Sequence, residues 1–384
     1  MKKISPIMLL LIMAACARGP KELPVLDIAS AISRNVPDAI TWNDLAEQVT
    51  LIPIETSDEI LIGGNVRVLH VGDDSYWIAC SQTRSFTHVD KSGKVITKFS
   101  RFGRGPGEYS SFTLGLLYFN RARGTILASH HAGSESKFIE YDQTGRFIRD
   151  IPMPTELSTP IFVADNYYVI KGVPSRQSTH KMYVTDTSFN ILHSLFPLPE
   201  EHITTPRLNP MESQQLDMLL VDLYDSNDDE VVYRITEKGA EPVFVLKAGQ
   251  YRHVLGEPTG NLPNGDRSPE LRYLNVASIP NYYIIMYLRF PRGEQSQYRY
   301  VELWDKKTNE IVSRSGAMIT GGTFNLAGHG FDLILPSGKR VKVSPDYIYE
   351  DTVVSTVQAD DIYDKMDGVK IDDNPVIVHI KLKK

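Results

Sequence analysis

Two cysteines, Cys16 and Cys80, are all that the 384 residues carry. That excludes a disulfide framework and any metal site built on several thiolates. Basic excess is missing too: 41 Lys and Arg stand against 47 Asp and Glu, a formal charge of −6. No block of Lys or Arg interrupts this balance, so nucleic acid is not an expected partner. After residue 20 no apolar run approaches the ~20 residues that cross a bilayer as a helix. Signatures of common catalytic sites are absent: no Gly-x-Ser-x-Gly elbow, no His-Glu-x-x-His, no Gly-Lys-Ser/Thr closing a phosphate loop. The sequence therefore implies neither a cofactor nor a metal site.

What is present is repetition. An alternating strand ends in a short polar turn and a second alternating strand follows. The copies run over Ser85–Ile96, Lys137–Ile148 and Lys181–Leu192, with weaker ones at Tyr233–Gly239 and Tyr300–Val312. Asp90, Asp142, Asp186 and Asp305 open four of the turns, and Thr236 opens the other. An Asp there can accept a hydrogen bond from backbone two residues on. Gly93, Gly145 and Gly239 supply a residue free to take positive φ, and Asn190 and Asn309 are expected to take that role in the two copies without Gly. Flanks that alternate apolar and polar residues have the period of half-buried strands.

The turns are spaced by 52, 44, 50 and 69 residues. A propeller blade of four strands takes ~40–50 residues. The last interval needs an insertion, and the Gly/Pro/Asn-rich stretch Gly256–Pro269 has the composition of one. Thr50–Ile54 near the start and Val376–Leu382 at the end read as strands that could pair and leave no open sheet edge. The expected fold is all-β: a single six-bladed β-propeller over residues 46–384, built of four-stranded antiparallel blades and closed by pairing of N- and C-terminal strands. Seven blades would follow if the C-terminal segment held two short ones. Asp360–Asp364 is expected to form one short helix.

The first residues read as a targeting segment. Lys2 and Lys3 precede the apolar stretch Ile7–Ala15, which is too short to span a membrane. Met13-Ala14-Ala15-Cys16 resembles the bacterial lipoprotein signal-peptidase box, with Met in place of the usual Leu. That likeness implies a signal peptide over residues 1–15 and lipid on Cys16. Without Lys2 and Lys3 the mature chain carries 39 basic and 47 acidic residues. Residues 16–45 are polar and Pro-bearing, and read as a linker arm between membrane and propeller. Ala17–Glu22 lacks an acidic cluster of the surface-export kind, so the periplasmic face of the outer membrane is the expected location. Cys80 follows Tyr76–Ala79 and reads as a small buried apolar residue.

The stretch Arg101-Phe102-Gly103-Arg104-Gly105-Pro106-Gly107-Glu108-Tyr109, with Leu51–Thr56 and the Asp-x-x-Gly hairpins, resembles the six-bladed β-propeller lipoproteins common in Bacteroidetes. Those are similar in turn to NHL-repeat propellers. The likeness covers about residues 40 to 384 and implies a propeller in the cell envelope, but little about activity.

The same Gly-rich stretch is the candidate site. Its glycines allow close approach of backbone, and Arg101, Arg104, Glu108 and Tyr109 would present charge and an aromatic face to a ligand or partner. The competing reading is a connector between two blades, with Glu108 pairing an Arg. Adjacent His130 and His131 point to opposite faces of a strand and make a poor metal site. Asp225, Asn227 and Asp229 have the alternate spacing of a calcium loop, but Glu230 stands where Gly is needed. Tyr282, Tyr283, Tyr287, Tyr298 and Tyr300 could form a sugar platform or could simply be strand packing. The expected function is a binding or scaffold module, monomeric and membrane-held by its lipid, with a glycan, peptide or envelope protein as partner. The alternative is a hydrolase or lyase acting on polysaccharide from the propeller's channel face.

Overall fold

The computed structural model describes residues 22–110, 112, 117–132, 135–154, 157–172, 178–198, 218–220, 230–251, 260–261, 267–268, 270–294, 296–319 and 330–384. The segment expected to be a signal peptide, Cys16, the stretch Asp225–Asp229 and most of Gly256–Pro269 lie outside these residues. So do residues 199–217 and 221–229, between the third and fourth repeat copies.

The described chain is mostly strand, arranged in six separate four-stranded sheets. The first runs Val66–Val71, Ser75–Cys80, Ser85–Asp90, Val95–Phe99. The second runs Leu117–Asn120, Thr125–Ala132, Glu135–Tyr141, Phe147–Pro152. The third runs Leu157–Val163, Tyr167–Gly172, His180–Asp186, Ile191–Pro197. The fifth runs Leu271–Ile279, Tyr282–Arg289, Gln297–Asp305, Ile311–Ile319. Each of these four is an antiparallel meander in chain order. Two described two-stranded ribbons, Gly260–Asn261 with Arg267–Ser268 and Phe331–Ile334 with Arg340–Val343, complete the strands.

The fourth and sixth sheets borrow a strand. In the sixth, Tyr347–Tyr349, Thr352–Val357 and Val376–Leu382 are edged by Ala46–Pro53, which pairs antiparallel with Val376–Leu382 from Ala46–Leu382 to Pro53–Val376. This is the pairing of chain ends expected from the sequence. In the fourth, Met218–Leu220, Glu230–Thr236 and Gly239–Leu246 are edged by Val25–Leu26, in parallel.

Of the stretch 16–45 expected to be a linker arm, the described residues from Val25 on are docked onto the sheets. Leu26, Ile28 and Ala31 are fully buried against Phe244, Leu246 and Ile285. Further on, the Ala39 and Ile40 amides donate to Ser313 Oγ, and Arg34 pairs with Glu310. A one-turn helix, Trp42–Leu45, begins with Asp44 accepting from the Thr41 amide at 2.8 Å. It sinks Trp42 edge-to-face onto Phe331, and the indole donates to Val343 O at 2.8 Å. Its apolar residues had no visible partner in the sequence because their partners are hundreds of residues away.

The core is divided among neighbouring sheets. Among the described residues, separate apolar clusters join the first sheet to the second (Trp77, Phe86, Tyr141), the second to the third (Phe138, Tyr168) and the third to the fourth (Val184, Ile235). Others join the fourth to the fifth (Phe244, Tyr287), the fifth to the sixth (Ile284, Val378) and the sixth to the first (Ile377, Val68).

The turns follow the expected chemistry. Asp90 accepts from the Ser92 and Lys94 amides at 2.8 and 3.0 Å, and Asp142 accepts from Thr144 and Arg146 at 2.9 and 3.0 Å. Gly93, Gly145, Gly239 and Asn309 all have positive φ. In the third copy the positive φ of 64° falls on Phe189, not on Asn190. Asn190 instead donates to Asp186 Oδ2 at 2.7 Å. A bulky residue there costs ~1–3 kcal/mol. The Phe189 ring offsets that by burial against Phe138 and Tyr168. Ala359–Ile362 forms the short helix expected near Asp360.

Truncating Trp42 removes a fully buried indole and its hydrogen bond, so Trp42→Ala is expected to cost ~3–5 kcal/mol. Urea denaturation checks it. A loss below 1 kcal/mol would mean that residues 22–45 are only loosely attached.

Candidate functional site

The Gly-rich stretch leaves the outer strand of the first sheet and straps it to the second. Phe102 and Tyr109 form a parallel bridge that pinches the loop. The Gly105 amide donates to Glu108 Oε2 at 2.8 Å, so Glu108 folds back into its own loop. A Cβ on Gly103 would lie 2.0 Å from that same oxygen, so a side chain there would displace the Glu108 carboxylate. Two bonds cross to the second sheet: Arg101 Nε to Gly145 O at 3.1 Å, and Tyr141 Oη to Gly107 O at 2.7 Å.

Tyr109 is fully buried rather than offering an aromatic face. Its hydroxyl accepts from the Arg101 amide and donates to Arg84 O, both at 2.9 Å. A buried hydroxyl that satisfies two backbone groups is a structural device. Of the four candidates, Arg101 and Arg104 reach solvent and Glu108 is half-buried. Among the tyrosines, Tyr283 and Tyr287 are buried, and Tyr287 donates to the buried Glu302 at 2.6 Å, so the five do not form one platform. His130 Nδ1 accepts from the Ser110 amide at 3.3 Å. No metal-binding cluster of His, Cys, Asp and Glu occurs among the described residues.

A different set of groups converges elsewhere. In a four-stranded meander the first and third turns share one end. At that end a cleft of about 540 Å³ opens between the sixth sheet and the first. The closing strand contributes Glu47, Gln48, Thr50 and Ile52, and the last strand contributes His379 and Lys381. Asp73, Tyr76 and Lys91 come from the first sheet. Tyr76 Oη lies 2.8 Å from His379 Nδ1, and Lys91 Nζ sits 4.0 Å above the Tyr76 ring. Burial, reinforced by the charges of Lys91 and Lys381, holds the His379 imidazole down to about 4. Burial likewise holds the Lys91 ammonium below its ordinary range. Lys381 forms an ion pair with Asp351 in the first turn of the sixth sheet.

The cleft leads to a second cluster at the same end. Arg121 grips Asp165 of the third sheet at 3.1 Å and lies 4.5 Å above the Tyr349 ring of the sixth. His70 stacks on Phe119 at 4.3 Å, and burial plus the charge of Arg121 push it down to about 4. Lys91 and Asp73 of the cleft act on His70 as well, so the two clusters share one electrostatic field. At the other end, Asp346 accepts from Ser355 at 2.9 Å and burial raises its carboxyl to about 6. No local motif marks any of these groups. Only the recurring turn lysines Lys91 and Lys306 hint at them; Lys306 sits 5.1 Å above Tyr283 as Lys91 sits above Tyr76.

A family model described as a domain of unknown function, DUF4934, matches residues 23–381. A solved structure provisionally described as an exported protein of Bacteroides fragilis covers 90% of this chain and 98% of its own, with 14% identity and a TM-score of 0.56. A member of the DUF4221 family from Bacteroides vulgatus covers 88% of this chain and 97% of its own, with 10% identity and a TM-score of 0.45. No curated protein matches the chain.

Two measurements follow. Tyr109→Phe should cost ~1–3 kcal/mol by leaving two backbone groups short of a partner, whereas exposed Arg104→Ala should stay within about 0.5 kcal/mol; urea midpoints distinguish them. The second concerns pH. His70 and His379 bind protons near pH 6.5 when unfolded but only near 4 when folded. Below pH 6.5 the unfolded chain therefore holds more protons, and stability falls as pH drops from 6.5 to 4. His379→Gln should flatten part of that slope in denaturation runs at pH 7, 5.5 and 4.5. An unchanged slope would show that His379 is not held neutral.

Proposed function

The chain belongs to the DUF4934 family over residues 23–381, and from that premise and its sheet arrangement we propose that it is a six-bladed β-propeller serving as a binding module of the cell envelope. Six four-stranded sheets joined in cyclic succession by apolar clusters support the ring reading. First strands of neighbouring sheets also touch, as Val66–Val71 does with both Leu117–Asn120 and Tyr347–Tyr349. The likeness to the B. fragilis structure bears on fold alone.

The observation that carries the binding reading is the cleft between the sixth and first sheets. Concave sites of ~300–1,000 Å³ with a few convergent polar groups are the usual form of ligand pockets. This one combines donors and acceptors held by the frame, since His379 and Tyr76 fix each other. A glycan, a peptide or an envelope protein could be its occupant. The Arg101–Tyr109 loop serves this module as a strap between two blades. Cys16 carries lipid and holds the module at the outer membrane, on its periplasmic face; no helix among the described residues is long and apolar enough to cross a membrane.

A thermal-shift screen against glycans and peptides tests the binding reading. A ligand at a hundredfold excess over its Kd adds ~2.7 kcal/mol. The shift is expected to vanish in Tyr76→Phe/Lys91→Met and to survive in Arg101→Ala/Arg104→Ala. The reverse pattern would return the site to the Gly-rich loop.

A further inference from the structure

The lining of the cleft says more than that something binds there. Lys91 has lost part of its hydration, yet forms no ion pair among the described residues; its ammonium lies over the Tyr76 ring, and Asp73 and Asp74 act on it by charge alone. A cation so placed is short of a counter-ion. On the His379 side the charges that bear on the ring are both positive, those of Lys91 and Lys381. Opposite them, Glu47 and Asp73 offer carboxylates, and Gln48 and Thr50 offer neutral polar groups. Ile52 is the one aliphatic residue in the lining. The volume suits a molecule of one or two rings.

We infer that the cleft binds a sugar acid: a monosaccharide-sized ligand with one carboxylate, directed at Lys91 and His379, and several hydroxyls, directed at Glu47, Gln48 and Asp73. Carboxylates of the protein are strong acceptors for hydroxyl donors. A ligand carboxylate meets the unpaired ammonium and takes the place of its lost water. In the tautomer in which Tyr76 donates to His379 Nδ1, the neutral ring carries its proton on Nε2 and is a second donor. A peptide's carboxyl end fits less well, because its side chains need apolar pockets and the lining provides one aliphatic residue. This inference rests on the binding reading above and names the ligand class for the same cleft.

The test titrates the full chain with D-galacturonate, D-glucuronate, D-galactose and a carboxyl-terminal dipeptide, Gly-Ala. The His379 ring resonances are followed by NMR and assigned with His379→Gln. Either sugar acid should move those resonances, and galactose should bind at least tenfold more weakly. Lys91→Met should weaken the sugar acid about tenfold or more, the loss of one charged hydrogen bond, and Lys91→Arg should restore most of it. Melting curves for both variants establish that they fold. If galactose binds as well as galacturonate, the carboxylate assignment falls while the cleft remains a binding site. If only the dipeptide moves the His379 resonances, the occupant is a peptide and the sugar-acid inference is overturned. If none of the four moves them, the sugar-acid inference is overturned too, and the wider screen decides the binding reading on its own.

Discussion

The structure depends on one pairing, that of Ala46–Pro53 with Val376–Leu382. The C-terminal end of the chain supplies only three strands of its last sheet. Without a fourth, Val376–Leu382 would present a bare edge rich in Val and Ile, a template for aggregation. The N-terminal strand covers it, and Asn374 reinforces the join. Its side chain accepts from the Ile62 amide and donates to Glu55 O, both at 2.8 Å, and its own amide donates to Thr56 Oγ1. A buried amide satisfied on every side rigidifies what it touches. Here it touches the segment that leads from the closing strand into the first sheet.

That pairing also builds the cleft. Glu47, Gln48 and Thr50 belong to the closing strand, His379 to the strand it pairs with, and Tyr76 and Lys91 to the sheet beyond. Tyr76 and His379 are 303 residues apart in the chain. The site is incomplete until both ends have met, because Glu47, Gln48, Thr50 and His379 come from the two end strands. The docking of residues 24–45 follows from the same constraint. A strand entering the sixth sheet from the N-terminal side must come from somewhere, and it runs over the fourth and fifth sheets. There it buries Leu26 and Ile28, and further on it buries Trp42 against the Phe331 ribbon.

How much of this the sequence reveals depends on range. The hairpins were legible because an Asp side chain and a residue two to four positions on settle a turn locally. The pairing of the end strands was legible because Val376–Leu382 is strongly apolar and Leu51 and Ile52 offered it a partner. Phe189 was not, because its left-handed backbone is sustained by rings of the second and third sheets, which no local rule includes. The Gly-rich loop stood out in sequence for its glycines. Two of those glycines, Gly103 and Gly105, lie against the Glu108 carboxylate, and Gly107 lies against the Phe147 ring. Tyr109 looked available because a loop residue is exposed by default; its burial depends on Phe86 and Tyr141. The cleft was invisible for the opposite reason, since its groups are unremarkable one by one.

The electrostatics of that end of the molecule favour a site of constant charge over a switch. A histidine near 6.5 would change charge within the physiological range. His70 and His379 are both held to about 4, by burial and by neighbouring cations. Above pH 5 both rings are neutral, and the positive charge at the cleft comes from lysines. Arg121 is already committed to Asp165, and Lys381 to Asp351. Lys91 is the cation left without a partner of its own, above the buried ring of Tyr76. That combination of fixed neutral donors and one uncommitted ammonium suits recognition of a single negative group at a fixed place.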